Sequence, residues 1–167
     1  MDLEFTALTE QDYPLVKEIY DHYILHSTAT FHTEPLTIAE LREMIPAGHP
    51  RYRSFLIHCD GAVCGFCYFA PYKKRPAYDR SAELTLYLKP AFTRRGIGRL
   101  ALERLEILAR ESGIKVLLGI ISGENVESIR LFEAGGFHAC AHFREVGEKF
   151  GRVLDVMGYE KILDPTE

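Results

Sequence analysis

Long hydrophobic runs are missing from this 167-residue chain: no stretch of about 18 or more uninterrupted apolar residues occurs, which excludes a membrane-spanning helix. The N-terminus lacks the basic-then-apolar pattern of a secretory signal and carries acidic residues instead, so a cytoplasmic location without a membrane partner is expected. A surplus of positive charge is missing too. Lys+Arg 20 against Asp+Glu 24 gives 20 − 24 = −4, which argues against general nucleic-acid binding and confines any cationic site to a local cluster. Cysteines are few. Cys64-x-x-Cys67 lies in a run that reads as strand, where positions three apart face opposite sides, so Cys59, Cys64, Cys67 and Cys140 are expected as buried free thiols. His22 and His26 have no third ligand in sight and read as helix-surface residues, and no metal is expected.

What is present is one ordinary globular domain, expected over 1–167, because 47% hydrophobic residues supply a real core. Leu3, Phe5 and Ala7 alternate as a strand, and Thr9 with Asp12 marks a helix start. Leu15, Ile19, Tyr23 and His26 then outline one helical face. Ser27 to Pro35 reads as a loop in which Thr28, Phe31 and His32 are either a substrate wall or a capping segment. Thr37 and Glu40 form a capping box for a second helix ending near Pro46. Arg53 to Cys59 and Ala62 to Phe69 are strands joined by Asp60-Gly61, a hairpin signal.

Ala82 to Leu88 reads as a strand stopped by Pro90, and the helix that follows carries Ala101, Leu102, Leu105, Leu108 and Ala109 on one face. Glu106 and Arg110 are spaced to pair. Val116 to Ile121 is almost wholly apolar, as in a strand buried on both faces, and Asn125 to Ala134 forms a short helix stopped by Gly135-Gly136. Phe137 to Arg144 and Val153 to Ile162 are the last strands, with a connection over Gly147 to Gly151. The order is α+β, strands in the centre and helices on both faces.

Thr93-Arg94-Arg95-Gly96-Ile97-Gly98-Arg99 sits between that strand and that helix, where glycines admit close approach and a helix's unpaired N–H groups meet an anion. No Gly-Lys-Ser/Thr follows, which excludes a nucleotide-hydrolase P-loop. Gly96-x-Gly98-x-x-Ala101 fits a dinucleotide fingerprint, but no acidic residue lies about twenty positions on, in Val116 to Ile120, and the remaining chain is short for a doubly wound sheet.

The turn also resembles the Gln/Arg-x-x-Gly-x-Gly/Ala signature of GNAT N-acetyltransferases, with Thr93 in place of the usual glutamine or arginine. Within that superfamily the chain is similar to the phosphinothricin and methionine sulfone acetyltransferase group. Four segments carry the likeness: Ile19-Tyr20-Asp21-His22, Arg75-Pro76-Ala77-Tyr78, Glu83-Leu84-Thr85-Leu86-Tyr87-Leu88, and Asn125-Val126-Glu127-Ser128-Ile129-Arg130-Leu131. Gly147 to Arg152, followed by Asp155, resembles a C-terminal Lys-Phe-Gly-Arg element, with Val153 where tryptophan is usual.

The resemblance implies a GNAT-like, mostly antiparallel mixed sheet, acetyl-CoA as cosubstrate, a homodimer, and transfer to the primary amine of a small amino-acid-like acceptor. It implies Glu83 as the base, acting directly or through water on an ammonium whose pKa of about 10 keeps it protonated at neutral pH. The competing role for Glu83 is a salt bridge to Arg75 or Arg80. Backbone groups of Leu86 and Leu88, with Tyr87, Asn125 and Ser128, are the implied cofactor contacts, joined by Arg94, Arg95, Gly96, Ile97, Gly98 and Arg99 at the turn. Asn125 also reads as a helix N-cap. Thr28, Phe31, Arg75, Tyr78, Thr85, Lys149 and Phe150 are the expected substrate contacts, with Arg75, Lys149 and Arg152 for an acidic group.

Phe132 stands where the resembling enzymes carry tyrosine or histidine to protonate the thiolate, and phenylalanine has no proton to give. Two other readings therefore stay open: a CoA-binding module with little catalysis, and an acetyltransferase of a protein N-terminus or an aminoglycoside.

Overall fold

The computed structural model describes residues 1–163; residues 164–167, the end of the domain expected over 1–167, lie outside the described residues. The elements run β1 (Leu3–Ala7), α1 (Tyr13–His26), α2 (Ile38–Met44), β2 (Ser54–Cys59), β3 (Ala62–Pro71), β4 (Ser81–Leu88), α3 (Ile97–Glu111), β5 (Val116–Ser122), α4 (Val126–Ala134), β6 (His138–Lys149) and β7 (Arg152–Ile162). The strands form one mixed sheet in the order β1-β2-β3-β4-β5-β7-β6, antiparallel at every step except β4 to β5. The expected α+β architecture is the one observed.

Each face of the sheet has its own core. On one side α1 and α2 bring Val16, Ile19, Tyr20, Ile24 and Leu41 onto Leu56, Phe66 and Tyr68. On the other, α3 lays Ile97, Ala101, Leu102, Leu105 and Ala109 against Phe55, Cys67, Phe69 and Leu84, and Phe132 of α4 joins them. Strand alternation feeds both: Phe66 and Tyr68 point one way, Cys67 and Phe69 the other.

Local chemistry sets the corners. Asp60 and Gly61 both take positive φ, 50° and 82°, which makes the tight β2–β3 turn the sequence signalled. The Thr37 capping box is complete: Thr37 Oγ1 accepts from the Glu40 N–H at 3.2 Å, and the Thr37 N–H donates to Glu40 Oε2 at 2.7 Å. Glu106 meets both Arg110, at 3.0 Å, and Lys161 of β7, at 2.7 Å, tying α3 to the sheet.

Three expectations need correction. The buried stripe of α1 is Tyr13, Val16, Ile19, Tyr20 and Ile24, whereas Leu15 is exposed, Tyr23 half-buried and His26 exposed. Two adjacent stripes share Ile19, and periodicity alone does not choose between them. β6 does not stop at Arg144 but runs to Lys149, leaving only Phe150 and Gly151, at φ 54° and 71°, as the turn. It passes an irregularity between Phe143 and Gly147, where Asp155 accepts from the Glu145 N–H at 2.8 Å and lies 2.7 Å from His142 Nε2. Cys140 is exposed at a second such shift, while Cys59, Cys64 and Cys67 are buried, and burial pushes the Cys64 thiol up to about 11.

β3 follows β4 along its whole length, closely enough that a Cβ on Gly65 would lie 2.6 Å from the Tyr87 carbonyl oxygen and 2.7 Å from Leu88 Cδ2. Gly65→Ala is therefore expected to destabilise the protein by about 1–3 kcal/mol, read as a lowered urea midpoint with an unchanged m-value.

Candidate active site

β4 and β5 pair over only three positions, Ser81 with Val116, Ala82 with Leu117 and Glu83 with Leu118. Beyond Glu83 they part. β5 stays with β7 and β4 with β3, and a cleft of about 1200 Å³ opens between them. The Lys89 N–H donates to the Cys64 carbonyl at 2.8 Å, so odd-numbered positions of this strand turn their backbone groups toward β3. By alternation the even-numbered positions face β5, and Leu86 and Leu88, beyond the last pair at Glu83 and Leu118, turn their backbone groups into the cleft. The Leu88 carbonyl accepts a hydrogen bond from the Tyr23 hydroxyl. Leu86 thus holds the middle of an open strand edge.

The side chains of β4 divide in the same way. Leu84, Leu86 and Leu88 pack toward α3, while Tyr87 packs toward α1. Glu83 and Thr85 share the Tyr87 side of the strand. Glu83 is half-buried and, among the described residues, has no hydrogen-bond or ion-pair partner, so the salt bridge to Arg75 or Arg80 is not made. Arg75 instead lies over the Tyr78 ring, 5.4 Å from its centroid. Burial raises the Glu83 pKa, and the Lys73 charge opposes that rise only in part.

At the other end of the cleft, α3 begins behind Gly96, whose φ of 80° places it in the left-handed region, with Arg94 at φ 61° before it. Among the described residues no side chain caps this helix, which leaves its first-turn N–H groups without a side-chain partner. Gly98 sits where α3, β4 and α4 meet: a Cβ there would be 3.0 Å from Leu131 Cδ2 and 3.4 Å from Leu86 Cδ2. The turn's arginines are already engaged. Arg94 Nε donates to Glu127 at 3.0 Å, Arg99 Nε to Glu103 at 2.8 Å, and Arg95 lies over the Phe92 ring. Asn125 caps α4, accepting from the Ser128 N–H at 3.2 Å.

Of the expected contacts, Thr28, Glu83, Thr85, Leu86, Tyr87, Leu88, Arg94, Gly96, Gly98, Arg99, Asn125 and Ser128 line the cleft together. Arg95, Ile97, Phe31, Arg75, Tyr78, Lys149 and Phe150 do not. Ile97 is core, and Lys149 is buried with its ammonium on the carbonyls of Ser27 and Thr30. Arg152 is paired to Glu124 through two bonds of 3.0 and 2.9 Å. Sequence reasoning missed Tyr23 and Glu124 as cleft residues: Tyr23 carries the look of a core position, and Glu124 lies in no periodic element. Phe132 reaches the cleft but packs on Phe137 with ring centroids 4.9 Å apart, over Gly119, where a Cβ would overlap its ring.

An open strand edge accepts an extended, amide-bearing ligand much as it accepts another strand, and the uncapped α3 N-terminus lies where such a ligand's phosphates would end. This geometry fits a long ligand that bears amides along its length and phosphates at one end. The chain belongs to the acetyltransferase (GNAT) family, whose model matches residues 16–137, and it is an N-acetyltransferase. It is 35% identical over 160 residues to phosphinothricin N-acetyltransferase of Streptomyces coelicolor, covering 92% of each chain. It is 32% identical over 159 residues to the L-methionine sulfoximine/L-methionine sulfone acetyltransferase of Salmonella typhimurium, covering 92% of this chain and 90% of that one. Among solved structures, it matches a GNAT superfamily phosphinothricin acetyltransferase of Sinorhizobium meliloti in complex with acetyl-CoA at a TM-score of 0.90 and 27% identity, over 100% of this chain and 95% of that one.

An unpartnered, half-buried carboxylate carries a stability penalty that a functional site retains. Because the folded pKa of Glu83 is raised, the native state binds its proton more tightly than the unfolded state, and stability falls as pH rises from the ordinary carboxylate range through the raised value. Glu83→Gln is expected to melt higher than wild type at pH 7, with the difference vanishing below about pH 4.

Proposed function

We propose that this N-acetyltransferase transfers the acetyl group of acetyl-CoA to the primary amine of a small amino-acid-like acceptor of the phosphinothricin or methionine sulfone type, with Glu83 as the base. Acetyl-CoA is the acyl donor. The observation that carries the reading is the position of Glu83, unpaired and half-buried at the point where β4 and β5 separate. The relatives' own substrates support the acceptor class.

The residues present fit the donor. The β4 edge at Leu86 offers backbone groups to the amide-bearing arm, the α3 N-terminus and the Gly96 turn suit the pyrophosphate, and Gly98 keeps the approach free of a side chain. Asn125 and Ser128 flank the arm from α4. We assign the Leu86 N–H, on the open strand edge beyond the last β4–β5 pair, to polarising the thioester oxygen. Acetyl-CoA supplies an acyl carbon activated by sulfur.

Glu83 takes one proton of the acceptor ammonium, the freed lone pair forms the new C–N bond as the C–S bond breaks, and the nitrogen's surplus proton passes to solvent. The raised pKa of Glu83 suits the task, because an ordinary carboxylate is a weak base toward an ammonium. Phe132 gives the departing sulfur no proton. A thiolate with a pKa of about 8 to 9 leaves adequately with solvent as its acid. On the acceptor side, Thr28 and Thr85 line the cleft, and Lys73 lies close enough to Glu83 to oppose its pKa rise. We assign the acceptor's carboxylate to the basic 72–78 loop, whose Lys73 charge acts on Glu83, while Arg75 of that loop lies over Tyr78 and outside the cleft. We also place the enzyme in the cytoplasm as a homodimer, which the exposed apolar side chains of Phe143, Val146 and Val153 along the β6–β7 hairpin support.

The test is thiol release from acetyl-CoA with phosphinothricin, methionine sulfone, methionine sulfoximine, N-terminal peptides and aminoglycosides. The free amino acids are expected to give the highest kcat/KM, and a preference for peptides or aminoglycosides would sink the acceptor assignment. Glu83→Gln is expected to lower kcat by about 10²–10⁴-fold. Wild-type activity should rise with pH through the Glu83 pKa, and that acid limb should be absent from the variant.

A further inference from the structure

Residues 27–32 form the acceptor-side wall of the cleft: Ser27, Thr28 and Ala29 line it directly. Three contacts hold this loop from behind, and all three come from or through the tip of the β6–β7 hairpin. Lys149 is 4% exposed, and its ammonium donates to the Ser27 carbonyl at 2.6 Å and the Thr30 carbonyl at 2.8 Å. The Thr28 hydroxyl donates to Glu124, which Arg152 grips with two hydrogen bonds. Phe31 lies on Gly147, where any Cβ would overlap its ring.

We propose that Lys149 is a positioning residue: it staples the 27–32 loop into the conformation that receives the amine, and does not itself contact the acceptor. This inference rests on the acceptor assignment above and gives a different job to a residue whose charge alone suggests anion binding.

The chemistry of the site favours the staple. A cation this buried ordinarily has a carboxylate partner, and among the described residues Lys149 has none, only neutral carbonyls and the Phe150 ring, 5.1 Å away. Two charge-assisted bonds to carbonyls three residues apart fix both ends of a short segment, which a neutral side chain of the same length cannot do. Of the two residues whose carbonyls the ammonium holds, Ser27 lines the cleft while Lys149 does not, which puts the ammonium behind the wall. Its influence extends to the end of the loop. His32 has its pKa lowered by burial and by the Lys149 charge, and its Nδ1 lies 2.5 Å from the Tyr20 hydroxyl, which in turn lies 2.6 Å from Thr30 Oγ1. Tyr20 lines the cleft, so hydrogen bonds tie the loop, α1 and the hairpin tip into one wall.

The experiment compares wild type, Lys149→Met and Lys149→Arg with methionine sulfone and with the corresponding amine lacking the carboxyl group, alongside hydrogen exchange of the 27–32 amides. Lys149→Met is expected to raise KM for both amines by about tenfold, equivalent to about 1.4 kcal/mol, and leave KM for acetyl-CoA within about twofold. Exchange across 27–32 should accelerate, and Lys149→Arg should recover much of both effects. A loss confined to the carboxylate-bearing amine would overturn the proposal by placing Lys149 on the acceptor. A parallel loss in both substrates' KM together with a lowered Tm would reduce it to general stability. If no small amine is turned over by wild type, the acceptor assignment fails, yet the exchange comparison still reads the staple: unchanged protection in Lys149→Met would overturn it. If Lys149→Met does not fold, Thr28→Val, which removes the Glu124 bond, is expected to accelerate the same exchange, and its failure to do so would count equally against the hairpin as the loop's anchor.

Discussion

The parallel pairing of β4 with β5, limited to Ser81, Ala82 and Glu83, is the constraint on which the site depends. A parallel pair that continued would bury the Leu86 backbone in a ladder and leave no cleft. One that never formed would leave Glu83 without a fixed address. Three paired positions followed by divergence do both tasks: the pairing immobilises the carboxylate, and the separation exposes the strand edge beside it. Each strand has a full antiparallel partner on its other side, so the gap forms without stranding the sheet.

Around that gap the protein spends small residues where backbones must approach and large ones where walls must stand. Gly98 lets α3 meet Leu86 and Leu131, and Gly119 makes room for the Phe132 ring. Gly65 lets β3 close on Tyr87. The tyrosines of α1 and β4 form the opposite wall, with the Tyr87 ring in contact with Tyr20 and Tyr23 at centroid distances of 5.2 and 5.0 Å. Burial raises the pKa of each of these hydroxyls, so they act as fixed neutral donors and acceptors. The Tyr23 bond to the Leu88 carbonyl is one result.

Charge near the cleft is mostly neutralised in pairs: Arg94 with Glu127, Arg99 with Glu103, Arg152 with Glu124. The first two pairs are largely exposed and worth little to stability, so they remain available for exchange with an anion. The third is tied to Thr28 and belongs to the frame of the 27–32 loop. Lys149, buried, and Glu83, half-buried, differ from all of these in having, among the described residues, no opposite charge in hydrogen-bond contact.

Local rules were enough for much of this protein. The Asp60-Gly61 turn, the Thr37 capping box, the apolar stripe of α3 and the left-handed Gly96 follow from steric and hydrogen-bonding preferences of a few adjacent residues, and the order of elements with the Gly96 motif already resembled the family to which the chain belongs. The sequence by itself also determined that position 132 holds no acid. What only the tertiary structure decided are relations between distant segments. That Lys149 lies behind the 27–30 loop, that Arg152 is spent on Glu124, and that Tyr23 reaches Leu88 depend on contacts across 122, 28 and 65 residues of chain. No periodicity encodes such contacts, because a lysine near an aromatic reads the same in sequence whether its ammonium meets a ligand or a backbone carbonyl. The direction of a side chain is settled by packing, and packing is a property of the whole sheet.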